Sequence, residues 1–400
     1  MKIAILTSGI LPVPAVGGGA VENLIDFYLD YNDRHHLHDI TVYSIGHPKI
    51  KTHPALTSKV NHYRLIDTSS LFARIKRKIF SKQKKYFGPY HYTVGYFLEE
   101  SIKHLRKQDY DVIILENRPF YAIRLNKVTD SKLVFHLHNE KIDFNTKDGQ
   151  VIYDAASRII TVSDYIGNCI KADIPCDTKC ITVHNGIDTH AFSPALSTQI
   201  SRKDLNIDAD DFVLVFSGRI HPEKGILQLI DALVSIQPQP HIKLLIIGSP
   251  FYGNAQLKGE SDFVSHVRER AQAVADKITF TGFIPYAEIP NYLKLADVAV
   301  IPSVWDDPFP TTVLEAQAMG MPIIATRRGG IPEEVSDNNA ILLNTDEQFV
   351  EHLAKAILEL YENPDRRKAM ADESVRRSTL FDKDTYAQNF FAAIEGLKTK

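Results

Sequence analysis

Short apolar runs rich in Val and Ile, separated by segments with helical periodicity, limit the folds open to this chain more than any other feature. The first series of runs lies at residues 2–7, 40–45, 111–116, 133–138, 158–163 and 180–185. The second lies at residues 213–217, 243–248, 278–283, 298–302, 322–326 and 340–343. Apolar strands that alternate with helices are typical of parallel sheets covered on both faces. The chain is therefore predicted to be an α/β protein with two Rossmann-like halves.

The length of the chain supports two domains. Its 400 residues are 44% hydrophobic, whereas a single core usually stops growing at roughly 250 to 300 residues. Residues 191–207 are polar and lack a strand or helix period, so we place the domain boundary near residue 200. The predicted domains are residues 1–200 and 201–379. A last helix within 380–400 is indicated by apolar residues at helical spacing, namely Tyr386, Phe390, Phe391 and Ile394.

Charge and cysteine content exclude some classes of protein. A net charge of -3 and a pI near 6.6 argue against a nucleic-acid-binding protein. Three cysteines, at positions 169, 176 and 180, form neither an even disulfide set nor a four-ligand zinc pattern. The apolar run at the N-terminus is too short for a signal peptide or a membrane span. We expect reduced thiols and a cytoplasmic protein.

Residues 305–322, WDDPFPTTVLEAQAMGMP, combine two carboxylates with a proline-rich turn. Pro308 and Pro310 prevent a helix from starting before about residue 311, so the first amides of the next helix lack acceptors. The predicted donors are the backbone amides of Thr311, Thr312 and Val313. A helix N-terminus of this kind attracts a diphosphate. Glu315 then lies in the first turns, where it can accept from a ribose diol, while Asp307 can reach a sugar.

Each carboxylate also has a plainer interpretation. Glu315 on a surface would simply stabilise the N-terminus of its own helix, although the apolar residues that follow it indicate a buried helix. Asp307 has Asp306 beside it as a competitor for the same role.

A second stretch, FSGRIHPEKG at residues 216–225, carries positive charge after an apolar strand. Ligands in open α/β sheets bind outside the carboxyl ends of the strands. Arg219 and Lys224 are therefore predicted to neutralise a leaving diphosphate. A solvated pair of cations at a helix start is the alternative, but such a pair opposes the helix dipole unless an anion binds.

The first half has its own candidate residues at the ends of strands. The loop at residues 14–25 contains successive glycines, among them Gly18 and Gly19, which allow close approach of the backbone to a ligand. A tight flexible turn is the alternative for this loop.

Two histidines and three polar residues end neighbouring predicted strands. His136 and His138 share one face of the strand KLVFHLHNE, with one expected to be packed and the other open. Structural histidines are the alternative. The strand before it ends in LENRPFY, where we expect contact with a glycosyl acceptor. These acceptor-binding candidates are Glu116, Asn117 and Arg118.

Residues 71–87, LFARIKRKIFSKQKKYF, form a basic amphipathic helix in projection. Such a helix either lies solvated on the domain core or contacts an anionic membrane surface. The second option suits a lipid-linked acceptor and a peripheral position on the inner face of the membrane.

The stretches at 216–225 and 305–322 together resemble the retaining glycosyltransferases of family 4, which have the GT-B fold. The segments ENRP, HLHNE and DDPFPTTVLEA resemble those bacterial members that build lipopolysaccharide and other surface glycans. The resemblance implies two Rossmann-like domains facing a central cleft, with the C-terminal helix crossing back to the N-terminal domain. It also implies sugar transfer from a nucleoside diphosphate sugar, here a UDP-sugar, to a hydroxyl of a growing or lipid-linked glycan, without a metal or other cofactor.

The resemblance also assigns roles to residues of this chain. His138 would lie beside the transferred sugar, and Gly18 and Gly19 would lie near the donor phosphates and the acceptor. Backbone groups near the end of one predicted strand would contact the base, at Gly282, Phe283 and Ile284. The chain departs from the family at Asp307, where Glu is usual, and at Pro310, where many relatives carry Gly, so the donor sugar is left open. A nucleotide-sugar epimerase and a non-catalytic glycan-binding scaffold remain the alternatives.

Overall fold

The computed structural model describes residues 1–82, 90–138, 142, 144–146, 148–175, 177–198, 200–249 and 262–397. Part of the predicted basic helix, residues 83–87, and the cysteine at position 176 lie outside the described residues. The chain divides into two compact units, Met1–His184 with Asp384–Lys400, and Asn185–Lys383.

The first unit is built around a parallel sheet. Its described strands are β1 (Lys2–Leu6), β2 (Asp39–Ile45), β3 (Asn61–Ile66), β4 (Val112–Glu116), β5 (Lys132–Leu137), β6 (Ala156–Thr161) and β7 (Cys180–Thr182). They pair in the order β3-β2-β1-β4-β5-β6-β7. The described helices of this unit are α1 (Ala20–His35), α2 (Leu71–Lys82), α3 (Tyr92–Leu105), α4 (Ala122–Leu125), α5 (Gly149–Ala155), α6 (Asp164–Asp173) and, at the C-terminus, α14 (Lys383–Ile394).

The C-terminal helix α14 packs into the core of the first unit, as the spacing of its apolar residues predicts. Tyr386, Phe390 and Phe391 are buried against α1 and the central strands. The rings of Tyr28 and Phe390 stack with centroids 4.2 Å apart and an interplanar angle of 4°. Aromatic pairs of this kind stabilise a core beyond the area that they bury, so the C-terminal segment is an integral part of this unit.

The second unit is also a parallel α/β structure. Its described strands are β8 (Phe212–Ser217), β9 (Ile242–Ile247), β10 (Ile278–Gly282), β11 (Val298–Ile301), β12 (Ile323–Thr326) and β13 (Ala340–Leu343). Its described helices are α7 (Ile226–Ser235), α8 (Asp262–Ala271), α9 (Ile289–Leu293), α10 (Thr311–Ala318), α11 (Ile331–Glu334), α12 (Phe349–Glu362) and α13 (Pro364–Ser378). The strand order β10-β9-β8-β11-β12-β13 reverses between β8 and β11. In an open α/β sheet, the crevice at such a reversal is where ligands bind.

The predicted fold class, two parallel Rossmann-like α/β halves, is confirmed. One strand was missed, because β3 is an edge strand that pairs with β2 alone and has the mixed sequence NHYRLI. An edge strand with one covered face needs no continuous apolar run.

The change of unit falls earlier than the boundary near residue 200 that the sequence predicts. Residues 185–200 belong with the second unit. Two buried apolar side chains, Ile187 and Phe192, anchor this polar segment. Asn185 Nδ2 also donates to the Phe309 carbonyl at 2.9 Å. A few contacts therefore fix this segment in the second unit, although its polar composition is typical of a linker.

The helices of the described residues are all too short or too polar to traverse a lipid bilayer.

Candidate active site

The reversal point of the second sheet brings two of the predicted site residues together. Lys224 ends the loop after β8, and Asp307 lies on the turn between β11 and α10. Lys224 Nζ donates to Asp307 Oδ2 across 83 positions of sequence. Asp307 is buried and Lys224 keeps part of its side chain exposed. A cation and a carboxylate thus meet where an α/β sheet binds ligands.

The neighbouring candidates take different positions. Arg219 lies half-buried on the same loop as Lys224. Asp306, the competitor of Asp307, lies 3.2 Å from Arg328 Nε, an ion-pair distance without hydrogen-bond geometry. Of the two adjacent aspartates, Asp307 is the one that pairs with Lys224.

A glycine fixes the loop that carries Lys224. Gly225 has a φ of +69°, and a Cβ added there would overlap the backbone carbonyl of Pro302, just after β11. Gly282 has a similar φ of +72°, but open space surrounds its Cβ position. The close approach at Gly225 therefore requires the absence of a side chain, in addition to the left-handed backbone.

We expect Gly225→Ala to lower the free energy of unfolding by more than Gly282→Ala does. Both substitutions carry the left-handed penalty of about 1–2 kcal/mol, and only the first adds a collision with backbone. Chemical denaturation of the two variants and the wild type measures the difference. Equal losses would show that the contact with Pro302 imposes no constraint.

Helix α10 begins where the prolines predicted, with Pro310 as the residue before its first turn. Among the described residues no side chain caps this end, which leaves the amides of Thr311 and Thr312 at the open N-terminus. The third expected donor is different, because the Val313 amide donates to the Pro310 carbonyl at 3.0 Å. The anion site predicted here therefore has two open amides.

Glu315 lies inside α10 with only 3% of its surface exposed. Burial raises the pKa of Glu315 to about 7, and the hydrogen bond with the Thr311 side chain opposes that rise. This carboxyl is therefore close to half-ionised at neutral pH. A surface carboxylate that only stabilises its own helix does not fit this burial.

The predicted base-contacting residues follow the neighbouring strand β10. Gly282 ends that strand, and its carbonyl accepts from the Gly248 amide at 3.0 Å. Phe283 and Ile284 come next and are half-buried. These residues lie at the carboxyl edge of the second sheet, as expected.

Glu334 is a buried acid that the sequence did not point out. Its side chain is fully buried, and neither carboxylate oxygen has a hydrogen-bond partner among the described residues. Burial, and then the charges of Asp307 and Glu333, raise its pKa well above the usual range, with Lys224 acting in the opposite direction. A further buried carboxyl, whose pKa is raised, therefore lies near the Lys224–Asp307 pair. The signal available in the sequence was the GGIPEE segment that follows β12.

In the first unit, three predicted site residues form a buried cluster at the ends of β4 and β5. His136 Nδ1 lies 3.0 Å from Glu116 Oε2, and His138 Nε2 lies 3.2 Å from the same oxygen. Tyr28 donates its hydroxyl to Glu116 Oε1 at 3.0 Å. Both histidines are buried, whereas the sequence predicted one packed and one open. Both rings contact the buried Glu116 carboxylate, which explains why neither is exposed.

The cluster stabilises a charged carboxylate inside the unit. Burial disfavours the ionised form, but the charge and hydrogen bonds of His136, together with His138, outweigh it and hold the pKa of Glu116 at about 2. Burial and the charge of His136 lower the pKa of His138 to about 4. At neutral pH His138 is therefore a neutral imidazole whose Nε2 side is held by Glu116.

Among the described residues, Glu116, His136 and His138 form a group that could hold a metal ion. Their ligand atoms lie within 4.8 Å of one another. Both imidazoles are within hydrogen-bond distance of Glu116 Oε2. An imidazole pair with one carboxylate is a ligand set that suits zinc.

The other acceptor-binding candidates have structural contacts of their own. Asn117 adopts a left-handed φ of 55°, and its Oδ1 accepts from the His138 amide at 3.1 Å. Arg118 donates to the Ser8 carbonyl at 3.3 Å and to the Asn117 carbonyl at 2.9 Å. Glu116 is fully buried. These contacts favour a role in shaping the strand ends, and direct contact with an acceptor stays a prediction.

The glycine loop before α1 adjoins a second acid that the sequence did not indicate. Gly18 and Gly19 have φ values of 77° and 109°, and a Cβ at Gly19 would overlap the Glu22 carboxylate. Ser8 donates to Glu22 Oε1 at 3.4 Å. Burial raises the pKa of Glu22 to about 7. Its position in the helix, just after the glycines, was the only signal in the sequence.

Two Rossmann-like units, the second with charged residues and a helix N-terminus at its strand-order reversal, define the GT-B class of glycosyltransferases. A solved structure of HepE from Anabaena, in complex with UDP and glucose, has this fold with a TM-score of 0.73. The two chains are 22% identical, and the match covers 99% of this chain and 100% of that one.

Comparison of sequences identifies the family. The model of the glycosyl transferases group 1 matches residues 197–377. The putative glycosyltransferase YtcC of Bacillus subtilis (strain 168) is 30% identical over 370 residues, which are 89% of this chain and 82% of that protein. The spore coat protein SA of the same strain is 28% identical over 410 residues, 99% of each chain. The chain belongs to the glycosyl transferases, with a group 1 region in its second unit.

Proposed function

We propose that this protein is a retaining glycosyltransferase of family 4 that moves a sugar from a UDP-sugar to a hydroxyl of a growing bacterial surface glycan or a lipid-linked glycan. The observation that carries the proposal is the meeting of Lys224 and Asp307 at the reversal point of the second sheet. A diphosphate placed there gains positive charge from the loop after β8 and open amides from α10.

The proposed mechanism is mainly electrostatic. Arg219, Lys224 and the N-terminus of α10 stabilise the charge that develops on the departing diphosphate, which is usually the largest contribution of a preorganised site. Asp307 binds hydroxyls of the donor sugar. Glu315 accepts from the ribose diol. We assign the base to the backbone at Gly282, Phe283 and Ile284.

His138 orients the transferred sugar in this proposal. Glu116 occupies its Nε2 side, so the opposite ring nitrogen, Nδ1, is the atom that can face a hydroxyl. No side chain is assigned as a covalent nucleophile. The acceptor hydroxyl attacks the anomeric carbon on the face that the diphosphate leaves, and the leaving phosphate oxygen takes the acceptor proton.

Two features of related proteins support the donor and the setting. HepE, which shares the fold, was crystallised with UDP and glucose. Spore coat protein SA of Bacillus subtilis (strain 168), which matches over 99% of each chain, is by its name a protein of the spore surface, which agrees with an acceptor at a bacterial surface. Cys169 and Cys180 are free thiols, which agrees with our proposal of a cytoplasmic location, with peripheral attachment to the membrane through residues 71–87.

The experiment that tests this function is a transfer assay with a panel of UDP-sugars and lipid-linked glycans from a bacterial membrane extract. We expect one UDP-sugar to yield a glycosylated product whose new bond keeps the anomeric configuration of the donor, as read by NMR. Inversion of that configuration would contradict the retaining mechanism. Conversion of the donor without an acceptor would identify an epimerase, and binding of UDP without turnover would identify a scaffold.

Transfer should be unaffected by EDTA, because the cations that face the diphosphate are proposed to be Arg219 and Lys224. The matched measurement compares initial rates in EDTA with rates in added Mg²⁺, Mn²⁺ or Zn²⁺. A rate that collapses in EDTA and returns with one metal would contradict metal-independent transfer and would direct attention to Glu116, His136 and His138.

A further inference from the structure

Helix α2 exposes apolar side chains that a core-facing helix would bury. Only Ala73 and Phe80 of this helix are buried hydrophobic residues. The exposed ones are Leu71 at 76%, Phe72 at 67%, Ile75 at 52% and Ile79 at 55%. Their spacing places them along one side of the helix. We call these four residues the α2 stripe. Large apolar side chains that are exposed together on one side of a helix mark an interaction surface.

A cavity of about 380 Å³ lies beside this helix, between β3, α2 and α3. Phe72 and Lys76 line the cavity and also belong to the exposed side of α2. Four cations line it, namely Arg64, Lys76, Lys103 and Lys107. The cavity and the α2 stripe are therefore parts of one surface.

The charges in the cavity are not balanced. Two acids line it, Asp67 and Glu100. Glu100 pairs with Lys103 at 2.5 Å, and Asp67 accepts from the Ser69 and Ser70 amides at the start of α2.

Three cations remain without a carboxylate partner among the described residues. These are Arg64, Lys76 and Lys107. Their field is felt by His104, whose pKa is lowered by burial and then by the charges of Arg64 and Lys107. The cavity is thus prepared for an anion with several acceptor oxygens, such as a phosphate.

We propose that this cavity binds the phosphate of an anionic phospholipid headgroup while the α2 stripe enters the interfacial layer of the membrane. The inference rests on the proposed function only in taking a membrane as the place of action. A lipid fits this surface because the cations without a carboxylate partner match the headgroup, and the exposed apolar side chains match the acyl boundary. A soluble phosphate has no apolar part that could contact the α2 stripe.

The test is co-sedimentation of the full-length protein with vesicles of phosphatidylcholine, with and without phosphatidylglycerol. We expect binding only to the vesicles that contain phosphatidylglycerol, and weaker binding at higher salt. The double variant Arg64→Gln/Lys107→Gln should bind them roughly 25-fold less tightly, because each cation near such a surface contributes roughly fivefold. Phe72→Ser/Ile75→Ser should also bind less tightly, although its cavity cations are intact.

The matched control is Lys127→Gln/Lys132→Gln, which removes two exposed cations of the same unit away from the cavity. Equal loss of binding in the cavity variant and this control would overturn the proposal, since only bulk charge would matter. A thermal shift with inorganic phosphate that depends on Arg64 and Lys107, with vesicle binding unchanged in the cavity variant, would assign the cavity to a soluble anion instead.

Transfer to a water-soluble acceptor should be the same in the wild type and the cavity variant. A wild type that binds vesicles but transfers no sugar would defeat the proposed function and leave this inference standing.

Discussion

Replacing Lys224 with alanine should lower turnover by roughly 10²–10³-fold while the protein stays folded. Lys224 is the cation that contacts Asp307 at the reversal of the second sheet. In the proposed mechanism its charge interacts most strongly with the diphosphate as the bond to the sugar breaks. The loss should therefore appear in kcat more than in the KM for the donor.

The variant also leaves Asp307 without its partner, so a control for structure is needed. Lys355→Ala removes an exposed lysine of α12 that pairs with Glu351, and solvent-exposed pairs of this kind contribute little to stability. We expect near-normal kinetics for this control and similar circular dichroism for both variants. A folded Lys224→Ala protein with wild-type kcat would remove Lys224 from the mechanism.

Replacing Glu315 with glutamine should weaken UDP binding by roughly 10- to 100-fold, the range expected when a hydrogen bond to a charged group is lost. The carboxyl is buried within α10, and its pKa is raised to about 7. Because the ionised form accepts better from a diol, wild-type affinity for UDP should increase as the pH rises from about 6 to 8. The Glu315→Gln variant should lose this pH dependence. Titration calorimetry at several pH values measures both effects.

The same residue should affect stability in the opposite sense. Its pKa in the folded state is about 7, above the ordinary value of 4.5. Between these values the folded state holds a proton that the unfolded state has released, so the free energy of unfolding falls as the pH rises. At pH 8, Glu315→Gln should be more stable than the wild type yet bind UDP less tightly. A variant that is weaker in both respects would indicate a merely structural role.

Much of the fold could be predicted because its strands are apolar on both faces. The runs at residues 2–7 and 213–217 correspond to β1 and β8. Strand β3 escaped detection because it lies at an edge, where alternating polar residues are tolerated. The change of unit at residue 185 falls earlier than the predicted boundary near residue 200, because Ile187 and Phe192, two buried residues in a polar segment, fix that segment in the second unit.

The candidate site was only partly readable from sequence. Sheet topology brings Lys224 to Asp307, because β8 and β11 are neighbours at the reversal of the strand order. Hydrogen bonds between side chains do not follow from a sequence pattern in this way. The sequence therefore indicated Glu116 and His138 as separate candidates and did not show that one holds the other. Glu22 and Glu334 were missed because burial, which raises their pKa values, is a property of the packed structure.

The most direct measurement is thermal unfolding of the purified protein in EDTA with UDP, GDP or ADP. A ligand present at 100 times its Kd stabilises the folded state by about 2.7 kcal/mol, which is easily seen as a rise in Tm. The proposed donor predicts a clear rise with UDP, a smaller or absent rise with the other two nucleotides, and a smaller UDP effect in Glu315→Gln than in the wild type. No rise with any nucleotide would contradict a nucleotide-sugar site in the second unit.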